Sequence, residues 1–362
     1  TPLPVISDIF RYASQNYLRA SMPARPPRPA MGIATATSYQ NKLRYQAYLQ
    51  AYRSADPSDW HDAIREYFDP EAMIDIRHPL NRLSGAEGYL DGFIRPLQES
   101  FRGLQRQDQI ICGGEYQGGE WVTSMGYFYG HFGSPLLGIP ASKKMAVLRY
   151  GEFLRIEQGR VVEAQCFVGL AELMIALHLW PLAPSTGYEG VYPAPASHDG
   201  TQIRDNDPAE SRATADWIEA MLMELTSPDA AWAPYWDPRM VWYGPGGFGS
   251  YSTVDAFKAF QMPFEKAFKG WGDGSQDGIT GVGSKCKAGD GQYAFLNGWP
   301  QITGIHVGRF MGIGKTGKRV YMRDCDWWRM QNGKILENWC MVDTLDLAMQ
   351  MDVDVLDLIS QR

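Results

Sequence analysis

Apolar positions along this 362-residue chain follow two rhythms, and the chain uses the pair twice. Helical spacing comes first. Tyr45, Tyr48, Leu49 and Tyr52 share one helical face, a short helix over 59–68 ends at Asp69-Pro70, and a strand over 73–77 follows. Helical spacing returns over 85–104 through Tyr89, Leu90, Phe93, Ile94, Leu97 and Phe101, with Pro96 expected to kink or break it. Period-two alternation then predicts strands over 109–116, 120–132, 144–157 and 160–168, closed by a helix over 170–179. The second half repeats this order. It has a helix over 212–225, a strand over 240–243 and a helical face of Val254, Phe257, Phe260, Phe264 and Phe268. A Gly-rich loop over 270–283 leads to strands over 284–287, 292–307, 318–330 and 334–342, then a helix over 344–351. Asn332-Gly333, between β-rich runs, is a strong hairpin signal.

The repetition extends to individual residues. Gly151 to Cys166 lies over Cys325 to Cys340 without a gap, Gly138-Ile139 over Gly312-Ile313, and Pro96 and Phe101 over Pro263 and Phe268. So long a period means a duplicated domain rather than a solenoid. The expected organisation is an N-terminal arm over 1–35, broken by Pro23, Pro26, Pro27 and Pro29. A first domain follows over 36–180, a Pro/Gly-rich linker over 181–208 and a second domain over 209–362. Tyr188 and Tyr192 suggest a linker draped on a surface. Helices followed by runs of antiparallel strands give an α+β class, with a pocket between each sheet and its helix.

Composition narrows the function. A net charge of −7 and the lack of a basic patch argue against nucleic acid, and the longest apolar run, near 173–182, is too short for a bilayer. Five cysteines without metal-type spacing suggest free thiols, and with no signal pattern at the start the expectation is a soluble, cytoplasmic protein. Aromatic residues make up 13% of the chain, which fits either bulky cores or aromatic-walled cavities.

Two motifs are discounted. Gly312 to Gly317 fits a dinucleotide fingerprint, but a strand follows it where a helix is required. Gly308 to Thr316 resembles a phosphate loop with a spacer one residue too long. There is no zinc spacing and no nucleophile elbow.

Candidate chemistry lies on the strand over 318–330. Alternation puts Asp324, Asp326 and Trp328 on one face. Carboxylates beside aromatic walls, and beside each other, rise in pKa toward values useful for acid/base work. His306, on the neighbouring strand, is expected to share a proton with Asp326, and Asp343 is the next candidate acid. Trp339, Trp328, Cys340, Asp324, Trp299 and Tyr243 are the expected pocket walls, and Glu152, His131 and Cys166 mark a second pocket in the first domain. The second domain is expected to carry the main site, because Gly169 stands where it has Asp343. A solvated face for the aspartates remains the competing reading.

His306 to Ile313, Thr316 to Arg319 and Asn332 to Trp339 resemble the SnoaL-like polyketide cyclases of the nuclear-transport-factor-2-like superfamily. In the first half only Gly138-Ile139-Pro140, Arg155, Gly159 and Glu163 carry the likeness. The resemblance implies two tandem cone-shaped α+β barrels, each with a hydrophobic pocket. It also implies cofactor-free acid/base closure of an aromatic polyketide. The family's acid/base aspartate falls on Cys340 here and on Cys166 in the first copy, and its partner histidine falls on Asp326 and Glu152. The known catalytic pair is therefore not reproduced. Two functions stay open: a cofactor-free cyclase, isomerase or hydratase/lyase without metal, and a module that binds a hydrophobic small molecule without chemistry. The expected assembly is an internal pseudo-dimer, with homodimerisation left open.

Overall fold

The computed structural model describes residues 29–227, 229–274 and 281–361. Most of the expected arm, and the middle of the Gly-rich loop, lie outside them. Each half is a curved, mixed sheet with helices laid on its concave face. The first sheet has the order β3 (Asn81–Ser84), β2 (Phe68–Ile76), β7 (Arg160–Val168), β6 (Met145–Glu157), β5 (Gly119–Phe132), β4 (Phe101–Tyr116). The second runs β1 (Gly32–Ile33), β11 (Ser284–Asp290), β12 (Tyr293–His306), β13 (Arg319–Gln331), β14 (Lys334–Val342), β8 (Trp236–Tyr243), β9 (Tyr251–Ser252), with β10 (Phe268–Asp273) paired to β12. Parallel pairs β1–β11, β2–β7 and β8–β14 stand among otherwise antiparallel ladders. The class is α+β. The sheets are open rather than closed into barrels, so the concave faces depend on helices for cover.

The elements follow local sequence logic, with two adjustments. The helical spacing over 85–104 ends at Ser100, because Phe101 already starts β4. The helix does not break at Pro96: a π-helical turn over Leu90–Ile94 runs directly into the helix Arg95–Ser100, and Pro96 follows that turn. In the second half Pro263 lies inside the unbroken helix Val254–Ala267. The residues just after the described start are not a loose arm: Gly32–Ile33 pairs in parallel with Ala288–Gly289 of the second sheet. In the linker, Tyr192 is buried, while Tyr188 is exposed and joins the fold through its backbone to Ser250.

The two sheets pack through the faces that point away from their helices. Trp327 stacks on Phe153 at 4.9 Å, and its Nε1 donates to Thr123 Oγ1 at 3.1 Å. Gly151 allows this approach, since a Cβ there would lie 2.4 Å from the Trp327 ring. Between the halves Lys42 meets Asp290 at 2.7 Å, both almost wholly buried, and Gly113 N and Asn206 Nδ2 also donate to that carboxylate. A buried pair this fully hydrogen-bonded fixes the relative position of the halves, and loss of one partner would strand the other.

Candidate functional site

The second sheet and its helices line a cavity of about 90 Å³. The helix Val254–Ala267 contributes Phe257, Phe260 and Phe264 at helical spacing, so that one face lines the space. The helix Pro208–Glu224, started by Asp207 accepting from Ala209 N, brings in Met221 and Leu222. Trp236 and Trp242 come from β8. The sheet contributes Asp324, Asp326 and Trp328 of β13, with Asn338, Cys340 and Val342 of β14. Asp324 and Asp326 also line an adjoining, more polar vestibule of about 390 Å³, which includes Lys287, Gln301 and Arg319.

The two carboxylates differ. Asp326 lies across from Cys340 and Leu296 in the ladder and accepts from Asn338 Nδ2 at 2.9 Å. Burial pushes it up to about 6, while bonds from Asn338 and Cys340 and the charge of Arg149 hold it down. Asp324 is 3% exposed, and its Oδ1 has no hydrogen-bond partner among the described residues. Burial first, then the charge of Asp326, raise it well above the usual carboxylate range. The two carboxyls, both raised above the ordinary range by burial, stand two residues apart on one face, about 7 Å along the strand. The buried indole N–H groups of Trp236 and Trp328 also have no partner among the described residues.

Other expected site residues lie elsewhere. Asp326 pairs with Leu296, ten residues before His306 on β12, a separation on the order of 30 Å along the strand. His306 is instead buried against Phe268 at 5.3 Å, with Nδ1 at 3.1 Å from Thr316 Oγ1, and burial lowers its pKa. Neighbouring strands bring together only residues in register, so His306 does not share a proton with Asp326. Asp343 is a structural cap: it accepts from Asp346 N at the start of the helix Thr344–Gln350, from His78 N at 3.0 Å and from Arg323 at 3.2 Å. Trp339 and Tyr243 stack on each other at 5.2 Å on the opposite face of the sheet, and Trp339 Nε1 donates to Pro193 O. Trp299 packs on Phe167 of the first half at 5.1 Å. These three belong to the surface between the halves, not to the cavity.

In the first half Glu152 is already engaged. It accepts from the Tyr45 hydroxyl in a very short bond and from Arg106 Nη2 at 2.6 Å. Arg106 also donates to Asp108 at 3.0 Å and to Tyr150 Oη at 3.0 Å, and lies over the rings of Tyr150 and Tyr52. Cys166 lies opposite Glu152 in the ladder, but His131 is seven residues along β5 from Ser124, the residue opposite Glu152. These three do not form the expected second pocket. Sequence reasoning missed Asn338, although alternation on β14 places it beside Cys340 on the cavity face. It also missed Arg149, which reaches this region from the other half. Among the described residues no group of three or more His, Cys, Asp or Glu could hold a metal ion, and no helix is long and apolar enough to cross a membrane.

Comparison with known proteins adds a family match over residues 299–351, to the SnoaL-like polyketide cyclases. The match runs from the bulge of β12 through the helix after β14, and so includes Asp324, Asp326, Asn338 and Cys340. Three solved structures illustrate the wider likeness. A Jannaschia sp. CCS1 protein assigned to the SnoaL-like polyketide cyclases is 20% identical over 40% of this chain and 96% of its own, with a TM-score of 0.33. IdmH from Streptomyces antibioticus, assigned as a polyketide cyclase, is 19% identical over 38% and 99%, at 0.32. An NTF2-like protein from Burkholderia thailandensis is 17% identical over 39% and 98%, at 0.30. No curated protein matches the chain.

Proposed function

We propose that the second half binds a hydrophobic, carbonyl-bearing small molecule in its cavity and moves a proton next to that carbonyl without a cofactor. The supporting observation is the pair Asp326 and Asp324 on the wall of an otherwise apolar, aromatic chamber. In this reading Asp326, as carboxylate, removes a proton from the carbon beside the carbonyl. The electron pair moves onto the carbonyl oxygen, and neutral Asp324 donates a hydrogen bond to the developing oxyanion. With a β,γ-unsaturated ketone the proton on Asp326 then returns to the γ carbon of the dienolate, giving isomerisation; with a second carbonyl in the same molecule the enolate attacks its carbon and the Asp326 proton passes to the new alkoxide, giving ring closure. The family match over 299–351 favours the latter class of substrate.

The test uses exchange of the α-protons of a hydrophobic cyclic ketone in D2O, followed by NMR. Wild-type protein is expected to accelerate exchange, with a lower pH limb near 6 where Asp326 ionises. Asp326→Asn keeps the shape and removes the base, and a loss of about two to four orders of magnitude is expected. Full exchange by Asp326→Asn would refute the base. Tight ketone binding with no exchange by the wild type would leave a binding module and refute the chemistry.

A further inference from the structure

Gly169 occupies the position at which the second half has Asp343, and the consequence reaches across the molecule. In the second half Arg323 is held by Asp343 of its own half at 3.2 Å. Its first-half equivalent, Arg149, has no aspartate at 169 to hold it. A Cβ on Gly169 would lie 3.1 Å from the Arg149 Cβ and 2.8 Å from Glu172 Oε2, so the missing side chain is also what leaves Arg149 room. Arg149 is 1% exposed and crosses to the second half. Its Nη1 donates to Cys340 O at 3.0 Å and lies 3.5 Å from Gly244 O, its guanidinium stacks 4.4 Å from the Tyr192 ring, and Glu172 is 3.8 Å away. Cys340 is the ladder partner of Asp326.

We propose that Arg149 is a positioning residue for the other half's site: it fixes β14 at Cys340 and places a buried positive charge behind Asp326. This rests on the acid/base reading of Asp326 given above. Among the described residues, Arg149 supplies the positive field that draws Asp326 back toward its ionised form against burial. The other titratable groups round Asp326 do not substitute for it. Asp324 on the same strand is acidic, and the thiols of Cys325 and Cys340 are pushed up by burial. In the vestibule Lys287 is committed to Glu219 at 2.6 Å, Arg319 donates to Thr303 Oγ1 at 3.4 Å, and Lys269 and Asp273 lie on the same wall; the helices opposite present Met221, Leu222, Phe257, Phe260 and Gln261. The first half is then a working part of the second half's site, not only a support for it.

The experiment is a pH titration of the Asp326 carboxyl by 13C NMR in full-length wild-type, Arg149→Met, Arg149→Lys and Gly169→Asp proteins, with thermal melting alongside. Removing the positive charge makes ionisation harder, so Arg149→Met is expected to raise the Asp326 midpoint by about half to one pH unit. Arg149→Lys, which keeps the charge, is expected to restore most of the wild-type value. Gly169→Asp, which gives Arg149 a carboxylate in its own half, is expected to shift the midpoint upward as well, and decides the matter if Arg149→Met does not fold. A folded Arg149→Met or Gly169→Asp protein with a lower melting temperature and an unmoved Asp326 midpoint would overturn the proposal, because a merely structural arginine gives that result. The titration does not depend on turnover. A wild-type protein inert in the exchange assay but responsive to Arg149 would refute only the chemistry.

Discussion

The two halves use one framework for opposite interiors. Tyr150 of the first half occupies the position that Asp324 has in the second, Glu152 that of Asp326, Ala164 that of Asn338 and Cys166 that of Cys340. In the first half a large phenol at 150 and the guanidinium of Arg106 engage Glu152 and Asp108, Tyr45 donates to Glu152, and the rings of Tyr45, Tyr48 and Tyr67 pack on one another, Tyr48 and Tyr67 stacked at 4.7 Å. In the second half the short Asp324 side chain and a helix that presents three phenylalanines and Gln261 leave room. The comparison teaches that a buried carboxylate is tied down or kept reactive by what stands opposite it. Glu152 has an arginine and a tyrosine, whereas Asp326 has an amide, a thiol and the more distant charge of Arg149.

The difference is breakable by mutation, and the largest effect is expected in the first half. Arg106→Met leaves Glu152 and Asp108 buried without their cation and should cost about 3–5 kcal/mol in urea unfolding. Asp326→Asn, by contrast, removes a burial penalty. The folded-state pKa of Asp326 is raised from its ordinary 3.8 to about 6, so its contribution to stability is fully present below about pH 4 and is lost as pH rises through 6. That difference corresponds to about 3 kcal/mol, so the Asn variant should be more stable than wild type by up to that amount at pH 8 and nearly equal to it at pH 3.5. A wild-type stability that does not fall between pH 4 and 7 relative to the variant would show that Asp326 is not desolvated.

Two smaller effects sharpen the contrast. Val342→Trp puts an indole into the second cavity. It should weaken binding of the fluorescent apolar probe anilinonaphthalene sulfonate by at least about tenfold while costing about 1–3 kcal/mol of stability through overpacking. Unchanged probe affinity would place the bound probe elsewhere. All five cysteines are free and buried. Thiol reagent should therefore count five in denaturant without reductant and react slowly with the native protein, and a count below five would contradict the structure.

Much of this was legible in the sequence. Period-two alternation put Asp324, Asp326 and Trp328 on one face, and helical spacing assembled Phe257, Phe260 and Phe264 opposite them. What alternation does not tell is which face of a doubly covered sheet is which. Trp339 and Tyr243 are as apolar as any cavity wall, yet they face the other half because that surface is buried too. The His306–Asp326 pairing failed for another reason. Residues on adjacent strands meet only in register, and the long hairpin between β12 and β13, with its bulge after Gly298, carries His306 to the far end of the ladder. Asp343 looked reactive because it is acidic and its twin is glycine, but at the first turn of a helix a carboxylate serves as a cap. Arg149 left no local signal, since its partners belong to the opposite half.

The claim that the cavity beside Asp326 takes the ligand is tested most directly by NMR of protein labelled with 13C at the methionine methyls, titrated with a hydrophobic cyclic ketone. Met221 and Met322 line the second cavity, while Met125 and Met174 lie in packed regions of the first half. The account predicts saturable shifts at Met221 and Met322 with Met125 and Met174 unmoved. Shifts confined to the first-half methyls, with Met221 and Met322 silent, would contradict it.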